Sequence, residues 1–129
     1  MTPTPTSRKT ARRQALFLLY QWDLTGQELA SLFEGEPDDF ARSLAESVAV
    51  RSADLDVRIS AASPDWPAER LGTLERNILR IGVYELEEET VPREVAINEA
   101  VVLAKRYATE DAARLVNGIL ARIAREEAA

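Results

Sequence analysis

The stretch Thr73-Leu74-Glu75-Arg76-Asn77-Ile78-Leu79-Arg80-Ile81-Gly82-Val83-Tyr84-Glu85-Leu86-Glu87-Glu88 decides the fold. Its apolar residues Leu74, Ile78, Leu79, Ile81, Val83 and Leu86 recur at helical rather than alternating spacing. On a wheel of about 100° per residue they cover more than half the circumference. A helix apolar over so much of its surface must be enclosed by neighbours, so this stretch reads as the buried centre of the domain.

Working outward, Thr90-Val91-Pro92 breaks the helix, and a second one follows over Val95 to Tyr107 with Ala96, Ala100, Leu103, Ala104 and Tyr107 inward. Thr109 can cap the last helix, whose buried stripe is Ala112, Leu115, Val116, Ile119 and Ile123. Asn117-Gly118 is by default a hairpin dipeptide. Here Leu115, Ile119 and Ile123 hold the helical register straight across it, so helix wins. A helical glycine costs about 1 kcal/mol against alanine, which is tolerable where another helix or a partner must come close.

Upstream, Ala11, Ala15, Leu18, Leu19 and Trp22 mark a helix with Ser7 as N-cap and Gly26 as its stop. A short helix over Glu28 to Phe33 is closed by Gly35 and Pro37. Phe40, Leu44 and Val48 mark a further helix, and Leu55 to Ile59 another short one, before Pro64 and Pro67 punctuate the chain. No stretch supports a strand better than a helix. The expectation is an all-α domain of six or seven helices over residues 7–129, preceded by a disordered tail, Met1 to Thr6, with Pro3, Pro5 and three threonines.

The 129 residues, 46% hydrophobic and 29% charged, suffice for one such core. Cysteine and histidine are both absent. That removes the usual ligands for zinc, haem and iron–sulfur clusters, along with cysteine proteases, serine–histidine triads and redox pairs. The remaining polar residues form no nucleophile–base constellation. We therefore expect no enzyme and no cofactor. No apolar run approaches the roughly 18 residues of a membrane span. The six-residue stretch Ala15 to Tyr20, behind Arg8, Lys9, Arg12 and Arg13, is too short for a signal peptide. A cytoplasmic protein is the expectation.

The net charge is −6, but it is unevenly spread. Residues 1–25 carry +3, residues 26–60 carry −5, residues 61–95 carry −4, and residues 96–129 are neutral. An acidic body with a basic N-terminal segment hints at a polyanion partner, although four cations in one helix also simply solubilise it. Lys9, Arg13 and Tyr20 fall within about 40° of one another on the wheel, opposite Ala11, Leu18 and Trp22. Cations take phosphates and an exposed phenol can stack on an unpaired base. Tyr20 could equally be half-buried with its hydroxyl in water.

Glu75 lies inside the apolar arc of the central helix. It gains from the helix N-terminus, pairs with an arginine, or faces a second protein. Arg76 and Arg80, four apart on the polar side, could reach phosphate, stand in solvent, or pair with nearby acids. On the last helix Asp111 and Arg114 share a face, with Leu115 at the rim of the apolar stripe. The run Glu85, Glu87, Glu88, Glu89 reads as a solvated helix end without function.

Leu74 to Leu86 is similar to the central-helix signature of the NusB family of bacterial transcription antitermination factors. Val91-Pro92-Arg93-Glu94-Val95-Ala96-Ile97-Asn98-Glu99-Ala100-Val101-Val102-Leu103-Ala104-Lys105 resembles the family's next motif, and Glu110-Asp111 with Leu115-Val116-Asn117-Gly118-Ile119-Leu120 its last. The basic residues ahead of Ala15-Leu16 and the pair Leu19-Tyr20 also fit, so the resemblance covers about residues 8 to 125.

The resemblance implies two small helical bundles packed together. It implies binding to single-stranded boxA RNA of ribosomal-RNA operon transcripts as a heterodimer with the ribosomal protein NusE. Other Nus factors and RNA polymerase then join indirectly, and some members form homodimers. The RNA-binding role carries over to Arg8, Lys9, Arg12 and Arg13, with Arg76, Arg80 and Arg114 as further cations. Tyr20, Glu75, Asp111 and Leu115 take positions used around the NusE contact.

This chain departs from the pattern at Ala112, where serine is usual, at Leu115, where phenylalanine is usual, and at Glu94, where a cation is frequent. Its N-terminal cluster also falls short of a full arginine run. Weak RNA affinity alone, with NusE supplying part of the surface, is the resulting expectation. The alternative is a non-catalytic helical adaptor related to the NusB-like domain of ribosomal-RNA cytosine methyltransferases.

Overall fold

A computed structural model describes residues 7–33, 35 and 38–128. The expected tail, Met1 to Thr6, and the expected stop at Pro37 lie outside the described residues. Six α-helices follow in order: α1 (Arg8–Thr25), α2 (Asp39–Val50), α3 (Ser52–Ala62), α4 (Thr73–Glu88), α5 (Arg93–Tyr107) and α6 (Glu110–Ala128). Single 3-10 turns at Leu29–Leu32 and Ala68–Arg70 fill the connections, and no strand forms among the described residues. The short helix expected at 28–33 is thus one 3-10 turn, since four residues cannot repay α-helix nucleation.

Local chemistry sets the ends. The Ser7 hydroxyl accepts from the Thr10 N–H at 3.2 Å, and Gly26, at φ 73°, ends α1 by donating its N–H to the Trp22 carbonyl at 3.0 Å. Asp38 caps α2 by accepting from the N–H groups of Phe40 and Ala41. Thr109 caps α6 as expected, accepting from the Ala112 N–H at 2.9 Å.

Helix α4 touches all five others. Two groups share it: α1 with α2, and α5 with α6, while α3 reaches α2, α4 and α6. Ile78, Leu79, Ile81, Val83 and Leu86 are buried, as the arc requires. At the α4–α6 crossing Gly82 admits Leu120, whose Cδ1 would stand 2.7 Å from a β-carbon there. Gly118 has open space around it, so no helix of this chain comes close to it. An apolar arc that wide leaves α4 no solvated side: Asn77, Arg80 and Glu85 are buried as well. That enclosure overturns several readings of the polar residues.

Candidate nucleic-acid and partner interface

Arg12, expected to meet RNA, is interior. Its Nε donates to Glu85 Oε1 at 2.7 Å and its Nη2 to Glu85 Oε2 at 2.8 Å, with side-chain exposures of 4% and 3%. Burial works against the Arg12 charge, but the hydrogen bonds and charge of Glu85, with help from Glu99, outweigh it and raise its pKa. Buried charge stays charged only when paired. Glu85 is therefore the counter-ion of Arg12 and not part of a solvated run. Glu87 is also engaged, accepting from Arg51 and Arg58; Glu88 is exposed but accepts from Arg51 Nη1 at 3.1 Å, and Glu89 is exposed.

Arg76 and Arg80 are likewise corrected from phosphate ligands to internal ties. Arg76 Nε donates to Asp23 Oδ2 at 2.9 Å. Arg80 grips both oxygens of Asp56, at 2.7 and 2.6 Å, and donates to Asp23 at 3.0 Å and to the Asn77 amide oxygen at 3.1 Å. Asn77 Nδ2 completes the cluster, donating to Asp23 at 3.0 Å and to the Thr73 carbonyl at 2.8 Å. Burial would raise the Asp23 pKa, but the hydrogen bond from Arg76 and the charge of Arg80 pull it below the ordinary carboxylate value. The network stitches α1, α3 and α4 together and leaves neither arginine for a ligand.

The remaining expected RNA ligands are on the surface. Lys9 is 75% exposed, its Nζ 3.7 Å from Glu99 Oε1. Arg13 makes no ion pair among the described residues. Arg8 is exposed, donates to the Thr90 carbonyl at 3.3 Å and lies over the Phe40 ring. Arg114 is exposed and paired with Asp111 one turn earlier on α6. The basic face is thus the first two turns of α1, reduced to Arg8, Lys9 and Arg13.

The four expected partner residues stand on three helices: Tyr20 on α1, Glu75 on α4, Asp111 and Leu115 on α6. Tyr20 is half-buried and Asp111 exposed. Leu115 is half-buried and packs against the core. Glu75 lies in the first turn of α4, where the helix dipole favours it, and its carboxylate fills the space a side chain at Gly72 would need. No hydrogen bond or ion pair joins these four to one another among the described residues.

Two aromatic residues beside the basic face were not expected there. Phe17 is exposed on α1, and its ring meets Tyr107 of α5 edge to face, with centroids 5.1 Å apart. The available signal was the spacing of Lys9, Arg13 and Phe17, four apart on one face. Among the described residues no cluster of acidic side chains is arranged to hold a metal, and no helix is long and apolar enough to cross a membrane.

Known proteins share this architecture. The transcription antitermination protein NusB of Rubrobacter xylanophilus is 41% identical over 121 residues, covering 88% of this chain and 87% of that protein. A structure of Thermotoga maritima NusB superposes with a TM-score of 0.84 at 32% identity, covering 95% and 94% of the two chains. A crystal structure of the antitermination factors NusB and NusE in complex with dsRNA matches with a TM-score of 0.81 at 31% identity, covering 92% and 96%. The pattern of the NusB family runs through residues 9–125, from the basic turn of α1 into the last turns of α6. With its six helices gathered on α4 and its motifs in order, this chain belongs to the NusB family.

Proposed function

We propose that this chain is a cytoplasmic transcription antitermination factor that acts by holding RNA, without catalysis. It binds single-stranded boxA-type RNA of ribosomal-RNA operon transcripts together with NusE, and other Nus factors and RNA polymerase join through that complex. The observation that carries the reading is the basic turn of α1. Lys9, held only by its 3.7 Å contact with Glu99, and the half-buried Arg13, which makes no ion pair among the described residues, lie together on α1 of an otherwise acidic molecule, in a chain whose relative crystallised with NusE and RNA. An acidic body repels non-specific RNA, while concentrated positive charge at one edge holds a strand in one place. The half-buried Tyr20 and exposed Asp111 offer the partner a polar, partly aromatic surface on α1 and α6.

The test is fluorescence anisotropy of a labelled boxA-type RNA titrated with this protein, with and without NusE, at two salt concentrations. The reading requires binding that is strongest with both proteins and weakens with salt. Tyr20→Asp is expected to remove the contribution of NusE while circular dichroism stays unchanged. A folded protein that binds no RNA under any of these conditions leaves the helical adaptor as the surviving description.

A further inference from the structure

We propose that Phe17 and Tyr107 form a stacking position for one unpaired base of the bound strand, with Arg106 beside it; this rests on the RNA-binding reading above. Helices α1 and α5 touch at two places the same distance apart along each helix. Lys9 meets Glu99, and eight residues further along each helix Phe17 meets Tyr107. Lys9, Arg13 and Phe17 line the α1 edge of this seam at i, i+4 and i+8, about 12 Å from first to last. Val102 and Arg106, both exposed and four apart, belong to the α5 edge.

Phe17 serves the core little. It is 43% exposed and lies off the buried face of Ala11, Ala15, Leu16 and Leu19. A polar residue would suit such a position, yet a phenylalanine stands there with its ring fixed at 78° to that of Tyr107. An edge-to-face pair holds both rings in place while at least one face stays uncovered by the other ring. The Arg106 guanidinium lies over the Tyr107 ring, 5.5 Å from its centroid, which leaves the exposed Phe17 ring as the one for a base, and neither Arg13 nor Arg106 makes an ion pair among the described residues. Cations on both sides of a preorganised aromatic pair are the chemistry of single-strand binding: phosphates meet the cations and a base lies on the open ring. Continuity with Lys9 and Arg13 favours RNA over an apolar protein surface as the occupant.

The experiment uses the full chain with NusE and a boxA-type oligoribonucleotide carrying 2-aminopurine at one position at a time. Stacking quenches this base, so binding should quench one position selectively. Phe17→Ala should abolish that quenching and weaken RNA binding roughly 5- to 100-fold. The slope of affinity against salt should be unchanged, because no phosphate contact is lost. Phe17→Tyr should restore both readouts, and circular dichroism checks the fold of each variant. RNA binding with no quenched position, or unchanged in Phe17→Ala, overturns the stacking site while leaving the RNA reading intact. Loss of NusE binding with RNA binding retained makes the patch a protein contact and also overturns it. A wild-type protein that binds no RNA removes both proposals together.

Discussion

Arg12 of α1 and Glu85 of α4 meet through two parallel hydrogen bonds in an interior that solvent barely reaches. Removing one partner strands the other as an unpaired buried charge. Arg12→Ala or Glu85→Ala is therefore expected to lower stability by about 3–5 kcal/mol. Replacing both with apolar residues of similar size, Arg12→Met with Glu85→Leu, should cost far less, because no charge is left behind. Urea denaturation of the three variants checks this. Single and double variants of equal stability would show that the pair is not desolvated as the structure has it.

The acid limb of stability should depend on Asp23 and Glu87. Burial opposes the charge of both, but hydrogen bonds from Arg76 to Asp23, and from Arg58 and Arg51 to Glu87, set their pKa values below the ordinary 3.8 and 4.5. A depressed pKa means that the folded state binds protons less readily than the unfolded one. The stabilisation is then complete above the ordinary values and is lost as pH falls through the lowered ones. With no histidine in the chain, no side chain titrates ordinarily between about pH 5 and 8, so stability should be level there. Asp23→Asn and Glu87→Gln should each lower the plateau and flatten the fall below pH 5. Melting temperature measured against pH gives the answer, and an unchanged acid limb in both variants would sink the assignment.

Two glycines of the family-like motifs should respond in opposite directions. Gly118 lies within α6 with nothing near its missing side chain, so Gly118→Ala is expected to stabilise the free protein by up to about 1 kcal/mol. If NusE or RNA packs against that spot, the same variant will bind more weakly while melting higher. Gly82→Ala instead drives a β-carbon into Leu120, which is fully buried. Overpacking of that kind costs about 1–3 kcal/mol, enough to cancel or exceed the helix-propensity gain. Paired thermal melts separate the two positions, and a Gly82→Ala protein as stable as Gly118→Ala would contradict the close α4–α6 crossing.

The fold was legible because it is written in apolar spacing. The arc from Leu74 to Leu86, the stripe from Ala112 to Ile123, and the caps at Ser7, Gly26 and Thr109 all act within a few residues of themselves, and each stands where the spacing put it. The polar residues were harder, since their fate depends on what the fold brings opposite them. Arg12 and Arg13 are adjacent in sequence, yet one is buried against Glu85, 73 residues away, and the other is half-buried with no ion pair among the described residues. On a helical wheel Arg80 lies on the polar side with phosphate, solvent and acids all open to it, because a wheel does not show Asp23 and Asp56 arriving from α1 and α3. Phe17 is obscure for the same reason: only the partner helix shows that it meets Tyr107.

That division gives a sharp test of which cations serve RNA. Lys9→Ala with Arg13→Ala removes two charges from α1 and breaks only the 3.7 Å contact of the exposed Lys9 with Glu99. Unfolding should stay unchanged, RNA binding should weaken, and the salt slope should fall by about 1.4 if each cation meets one phosphate of a single strand. Arg76→Ala or Arg80→Ala should do the reverse, since these arginines hold Asp23 and Asp56 inside the fold: stability drops, and the salt slope of the folded fraction stays as it was. Including Arg12 in a combined alanine variant would confuse the two effects, because its loss damages the core. Salt titrations of RNA binding run beside urea melts on the same preparations distinguish them. A lowered salt slope in Arg80→Ala, from protein shown to be folded, would mean that the Asp23–Asp56 cluster opens to the strand and that the buried arginine is a ligand after all.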